Sequence, residues 1–270
     1  MEKEKSYKAV FSDIDGTLLN TSHQVTKATK EKILKLDQKG IPFILVSARM
    51  PKGMTGIRDE IGVHAPMVCY SGALIVDASG NAISSVTLRE EETQALCMYI
   101  REEEPQISLN LYHEDTWMVE SKEEPWVKQE MEITKIGVDE IPFTKENFFR
   151  PVHKILCMGE AEDIQRLEKN LVERFPEIRI YKSKDTYLEV MPMKASKSAA
   201  IQEFEKIFSI KREEILAFGD GHNDIDMLQY AGLGVAMGNA SEEVKEAGDI
   251  VTKENDEEGL LYILNQVFHS

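Results

Sequence analysis

Short apolar runs that alternate with helix-patterned stretches constrain this chain more than any other feature of its sequence. One of them, Ile41-Pro42-Phe43-Ile44-Leu45-Val46, is apolar without a break. A strand with one wet face alternates polar and apolar residues, whereas an unbroken run suits a strand covered on both faces, as in a parallel sheet. An earlier run, Tyr7 to Phe11, stops at Ser12-Asp13-Ile14-Asp15-Gly16-Thr17. Between the two lies a helix pattern with Thr26 as its cap, Ala28, Ile33, Leu34 and Leu36 on its apolar face, and Gly40 at its end. Pro66 to Cys69 and Ala73 to Val76 read as two more strands. The alternation resumes late in the chain. Helices are expected at 198–208, about 224–230, 242–247 and 259–268, and strands at 215–218, 234–237 and 250–251. Such a succession specifies a doubly wound α/β sheet, parallel, with helices on both faces.

From about Ile83 to Glu189 the texture differs. Acidic helix patterns are joined by segments of period two, such as Ile107–Tyr112, Thr116–Val119 and Ile178–Tyr181, as in half-exposed antiparallel strands. We therefore expect one discontinuous core domain, 1–82 and 190–270, with an α+β domain inserted at 83–189. The net charge is −16, and the insertion carries 24 acids against 14 bases, or −10 of it. With basic residues diluted almost everywhere, no clustered footprint for nucleic acid exists. Three dispersed cysteines give neither a disulfide framework nor a zinc motif. No apolar run approaches the roughly 18 residues of a membrane span. A cytoplasmic protein with no membrane partner is the expectation, and no oligomeric state follows from these features.

In an open α/β sheet, ligands bind beyond the carboxyl ends of the strands. The residues there are Asp13 and Asp15, then Ser47, Ala48 and Arg49, then Asp220, Asn223 and Asp224. Asp13 and Asp15, two positions apart, can face one substrate atom, and Gly16 lets the chain turn away. Carboxylates gathered on one rim repel each other, so the cluster requires a proton or a cation. Oxygen donors without a cysteine or histidine pair nearby favour Mg²⁺ over zinc.

Asp13-Ile14-Asp15-Gly16-Thr17-Leu18, Ser47-Ala48-Arg49, Lys197 at a helix start and Gly219-Asp220-Gly221-His222-Asn223-Asp224 together resemble the four motifs of the haloacid dehalogenase superfamily, in order. Glu189-Val190-Met191-Pro192 and Gly234-Val235-Ala236-Met237-Gly238-Asn239-Ala240 look like its Cof-type sugar phosphatases, whose inserted domain is a type IIB cap. The resemblance covers the whole chain. It implies a phosphomonoesterase for small phosphorylated metabolites working through an aspartyl-phosphate. Asp13 would be the nucleophile and Asp15 the general acid and base. Mg²⁺ would be held by Asp13, the Asp15 main-chain carbonyl and Asp220. Ile14, Ser47, Ala48, Lys197 and Asn223 would hold the phosphoryl oxygens, with Asp224 behind them orienting Lys197 or metal-bound water. Arg49 reads equally well as a surface ion pair, Asn239 as a turn-fixing residue beside the site, and His222 as an ordinary surface residue. Ala48 and Ser71 depart from the family, which usually has glycine and asparagine there. Cap aromatics such as Tyr112, Trp117 and Tyr187, and His113 with them, could meet a substrate but read more readily as core. A phosphomutase of the same superfamily, or a catalytically weak sensor of phosphorylated ligands, remains open on these residues.

Overall fold

The computed structural model of the chain describes residues 6–144 and 151–268. They divide into two compact units. The first comprises the described residues up to Arg49, Met54–Ser84 and those from Ser196 onward; the second comprises Met50–Gly53 and the described residues of Ser85–Ala195. In chain order the elements begin with β1 (Ala9–Asp13), α1 (Lys27–Gln38), β2 (Phe43–Val46), α2 (Lys52–Ile61), β3 (Met67–Cys69), β4 (Leu74–Val76) and β5 (Ala82–Ser85). Then come α3 (Glu90–Glu103), β6 (Ser108–His113), β7 (Thr116–Val119), α4 (Pro125–Thr134), β8 (Asp139–Glu140), β9 (Lys154–Met158), α5 (Ala161–Arg174), β10 (Ile178–Lys184) and β11 (Tyr187–Pro192). The last are α6 (Lys197–Phe208), β12 (Ile215–Gly219), α7 (Ile225–Tyr230), β13 (Leu233–Ala236), α8 (Glu242–Ala247), β14 (Ile250–Val251) and α9 (Gly259–Val267).

The first sheet has the order β14-β13-β12-β1-β2-β3-β4-β5. β1 pairs in parallel with both β12 and β2, and every residue of β1, β2 and β12 is buried, which suits the apolar runs Ala9–Phe11, Phe43–Val46 and Ile215–Phe218 within them. The chain leaves β1 toward β2 and leaves β12 toward β13, in opposite directions along the sheet, so a switch point lies between β1 and β12. One departure from an all-parallel sheet is β4, which runs antiparallel to β3 because the two are joined by a tight turn with no crossover helix. Thr26 caps α1 by accepting from the Thr29 N–H, as its position predicts. Helix α6 covers one face through Ala200, Ile201 and Phe204, packed with Phe11, Ile44 and Ala217. Phe204 meets Phe11 edge to face at 5.1 Å, an arrangement in which ring edge faces ring quadrupole.

The second sheet has the order β10-β11-β9-β6-β7-β8, with antiparallel pairs from β10 through β7 and a parallel β7–β8 pair. Helices α3 and α5 bury Leu96, Cys97, Ile100, Ile164, Leu167 and Leu171 against one face of it. The boundary drawn at 190 from the sequence falls inside β11. Val190 to Ala195 belong to the second unit, because β11 pairs with β9 and β10 there. Trp117 and Tyr112 stack at 5.6 Å, both buried, and the Tyr187 hydroxyl donates to Glu130; these aromatics are packed residues. Among the described residues no helix is long and apolar enough to cross a membrane.

His153 is wholly buried in this unit, its Nδ1 accepting the Glu114 N–H at 3.2 Å and its Nε2 3.0 Å from the Ser85 hydroxyl, with the His113 ring stacked on it. Burial first, then the neighbouring His113, lowers its pKa to about 4. The unfolded chain takes up this proton near the ordinary value of about 6.5, so between pH 6.5 and 4 it binds more protons than the folded chain does. Stability is therefore lost as pH falls through that window, by roughly 2 kcal/mol at pH 5 from this group. Urea unfolding of wild type and His153→Gln at pH 7.5 and pH 5 measures it. The wild type should lose about 2 kcal/mol more between the two pH values than the variant; equal losses refute it.

Candidate active site

Three strand ends meet at the switch point. Asp13 is the last residue of β1, opposite Val46 of β2, so the Ser47 loop begins beside it. Ser12 of β1 is opposite Phe218 of β12, which brings Asp220 alongside. The carboxylates of Asp13, Asp220 and Asp224 each offer an oxygen within 4.8 Å of the others. Gly16, at φ +84°, carries the chain out of this crowd, and a Cβ there would stand 2.2 Å from Asp220 Oδ2. Any side chain at that position would displace the carboxylate.

Lys197, the first residue of α6, is buried and reaches into the cluster. Its Nζ donates to Asp13 Oδ1 and to Asp224 Oδ1, each at 2.5 Å. Asp224 is fully engaged, because its Oδ2 accepts the Asp220 and Gly221 N–H groups at 3.1 and 2.9 Å. Its two oxygens thus join the lysine to the backbone of the Asp220–Gly221 turn. Burial works against the Lys197 ammonium, but the two carboxylates outweigh it and hold its pKa above the ordinary value. Burial, with Asp224 and Asp220 adding to it and Lys197 opposing, pushes Asp13 well up. Asp220 rises to about 6, from burial first and then Asp224, against the stabilising hydrogen bond from Thr17. Three carboxylates share one ammonium, so the cluster is short of positive charge. Hard oxygen donors in that state suit a divalent cation such as Mg²⁺.

The remaining predicted residues lie around this centre. Asp15 turns away from the cluster and is forked by Arg49, whose Nε and Nη2 donate to its two oxygens at 2.9 and 2.6 Å. Arg49 is thus tied to a predicted catalytic acid, a partner that the sequence could not name. Ser47 is buried, its Oγ accepting the Arg49 N–H at 3.2 Å. Ala48 is not among the residues with positive φ, so replacing the family's glycine strains nothing. Tyr70, Ser71 and Gly72 all have positive φ, and the Ser71 N–H donates to the Ser47 carbonyl at 2.8 Å. Asparagine tolerates that backbone region better than serine does. A Cβ on Gly72 would lie 2.0 Å from the Ser196 carbonyl oxygen, so this turn braces the start of α6 as well.

Ile14 is buried beneath the turn, its carbonyl accepting the Leu18 and Leu19 N–H groups. Asn223 sits half-buried in the short helical turn His222–Asp224. Asn239 fixes a turn: it donates to the Gly16 carbonyl at 2.9 Å and accepts from the Asn255 N–H at 3.0 Å. His222 is exposed, 3.3 Å from Glu243. Thr17, passed over in the sequence, donates to Asp220 Oδ1 at 2.6 Å. The hydroxyl directly after the Asp-x-Asp-Gly turn was the available signal.

Comparison with known proteins agrees with this geometry. Residues 10–264 match the family model described as haloacid dehalogenase-like hydrolase. A Haemophilus influenzae protein named provisionally as a phosphatase is 39% identical over 262 residues, which cover 97% of this chain and 98% of that one. A haloacid dehalogenase-like hydrolase from Bacteroides thetaiotaomicron superposes with a TM-score of 0.88 at 28% identity, covering 97% of this chain and all of the other. The subclass IIB sugar phosphatase BT4131 gives 0.82 at 27%, covering 97% of this chain and 100% of that one. With residues 10–264 matched by that family model and these relatives aligned over nearly its whole length, the chain belongs to the haloacid dehalogenase-like hydrolases, among their Cof-type phosphatases.

Proposed function

We propose that the protein is a Mg²⁺-dependent phosphomonoesterase that hydrolyses small phosphorylated metabolites, sugar phosphates foremost, through an aspartyl-phosphate on Asp13. One observation carries this reading: a buried lysine spans Asp13 and Asp224 within a cluster that includes Asp220. Asp13 attacks phosphorus in line, an Asp13–phosphorus bond forms, and the ester oxygen leaves. Asp15 gives that oxygen its proton and later takes one from the hydrolytic water, for which it must exchange its fork with Arg49 for the substrate. Lys197, Ser47, Asn223 and the Ile14 and Ala48 N–H groups hold the phosphoryl oxygens as charge shifts among them. A Mg²⁺ held by Asp13, Asp220 and the Asp15 carbonyl would offset the charge of the incoming dianion. The inserted unit would serve as a cap that excludes water and selects the leaving group. The kinship to a sugar phosphatase supports that substrate class, and three buried cysteines that form no disulfide support a reducing cytoplasm.

Phosphate release over a panel of sugar phosphates, nucleotides, pyridoxal phosphate and flavin mononucleotide, with EDTA and with Mg²⁺ restored, is the test. Release should vanish with EDTA and return with Mg²⁺. Because Asp220 takes a proton near pH 6 and a cation needs the carboxylate, the Mg²⁺ required for half-activity should rise as pH falls below about 6, up to tenfold per pH unit. Metal-independent release, or a Mg²⁺ requirement that does not change between pH 7.5 and 5, would contradict this assignment.

A further inference from the structure

Asp226 has no part in the proposed chemistry, yet it reaches the helix start from which Lys197 projects. The first N–H groups of any helix lack intrahelical partners. In α6 the ordinary cap is present: Ser196 Oγ accepts the Ala199 N–H at 3.1 Å. A second lock comes from another element. Asp226, on α7, accepts with Oδ2 both the Ser198 N–H at 3.1 Å and the Ser198 hydroxyl at 2.7 Å. The Ser196 and Ser198 hydroxyls stand 3.0 Å apart, so the residues on both sides of Lys197 are tied together.

We propose that Asp226 is a positioning residue for Lys197, fixing the helix start so that the ammonium falls between Asp13 and Asp224. The inference rests on the role in phosphoryl transfer proposed for Lys197. Asp224 and Asp226 belong to one short segment, and between them they hold the two ends of the lysine: Asp224 its Nζ and Asp226 its backbone neighbour. The lysine side chain has four rotatable bonds inside a closed site, and a displacement of about 1 Å at a reacting group costs on the order of 10²-fold in rate. Asp226 Oδ1 is buried with no hydrogen-bond partner among the described residues. That oxygen is a cost to stability carried by the same side chain that holds the Ser198 N–H, which the Ser196 cap leaves without a partner.

With Mg²⁺ in excess, Asp226→Ala should lower kcat for p-nitrophenyl phosphate by about 10- to 100-fold, the usual range for groups that orient a reacting residue. Asp226→Asn keeps an acceptor for Ser198 and should recover most of that loss. The half-saturating Mg²⁺ concentration should stay within about twofold, because Asp13 and Asp220 are untouched, while calorimetry should find inorganic phosphate bound about tenfold more weakly by Asp226→Ala. Phe204→Leu destabilises the same helix through its contact with Phe11 without touching its start, and should keep kcat within about threefold at 25 °C. Either an Asp226→Ala protein with wild-type kcat and phosphate affinity, or a Phe204→Leu protein that loses as much as it does, overturns the inference. A wild type that releases no phosphate from any substrate overturns the phosphatase reading itself, whereas an active wild type with an equally active Asp226→Ala overturns only the role of Asp226.

Discussion

Asp13→Asn should leave the protein folded and reduce phosphate release at least about 10³-fold, within the range seen when an enzyme nucleophile is removed. The substitution keeps the shape of the side chain and an oxygen that can still accept from Lys197 at the position of Asp13 Oδ1. What it removes is the negative oxygen that forms the bond to phosphorus. It also removes one of three carboxylates crowded around a single ammonium, where burial first, with Asp224 and Asp220 adding to it, pushes Asp13 well above its ordinary pKa. The metal-free variant should therefore unfold in urea within about 1 kcal/mol of the wild type, in contrast to the usual cost of cutting a buried pair. Single-turnover assays with p-nitrophenyl phosphate, with urea titrations of the same samples, measure both. A variant that retains more than a tenth of wild-type turnover excludes Asp13 as the nucleophile.

The chemistry of this chain was legible because it sits where backbone geometry leaves little choice. Ser47 directly follows an apolar run, Asp13 and Asp220 follow one after a single small residue, and such runs become central parallel strands whose ends share a rim. The pattern identified the strands and the rim without any distance. Less visible was whatever depends on how two short pieces meet. β4 turns back on β3 through three residues of positive φ, and Tyr70-Ser71 carries no glycine signal for the first two of them. β9 is the central strand of the second sheet, with all five residues buried, but it opens on Lys154, whose ammonium lies 3.1 Å from Glu189. A strand buried along its whole length does not alternate, so it escapes a reading of this region by period two. Val190–Pro192 reads from the sequence as the resumption of the core, yet its backbone bonds belong to the second sheet. The Arg49–Asp15 fork and the contact of Asp226 with Ser198 join positions 34 and 28 residues apart, and no spacing rule reaches that far.

Replacing the buried cation should have the largest effect on the fold itself. Lys197→Met preserves much of the apolar stem but leaves Asp13 and Asp224 facing each other with no charge between them, where each now accepts from Nζ at 2.5 Å. Breaking a buried pair in this way costs about 3–5 kcal/mol, most of it from the charges left uncompensated. Lys197 has a pKa raised above its ordinary value by those two carboxylates, so its stabilising contribution is fully present below about pH 10.5 and is lost only at higher pH. At pH 7.5 the wild type therefore holds all of it and the variant none. In the variant the buried Asp13 carboxyl, already pushed up by burial and now without the opposing lysine, favours its protonated form, so the deficit should shrink as pH falls toward 5. Mg²⁺, supplying the missing charge to the same cluster, should also narrow the gap at pH 7.5. Urea unfolding at pH 7.5 and 5, with and without Mg²⁺, resolves all three effects. A deficit below 1 kcal/mol at pH 7.5 without metal, or one unchanged at pH 5, would show that the lysine does not balance these carboxylates and that the cluster is held together by other means.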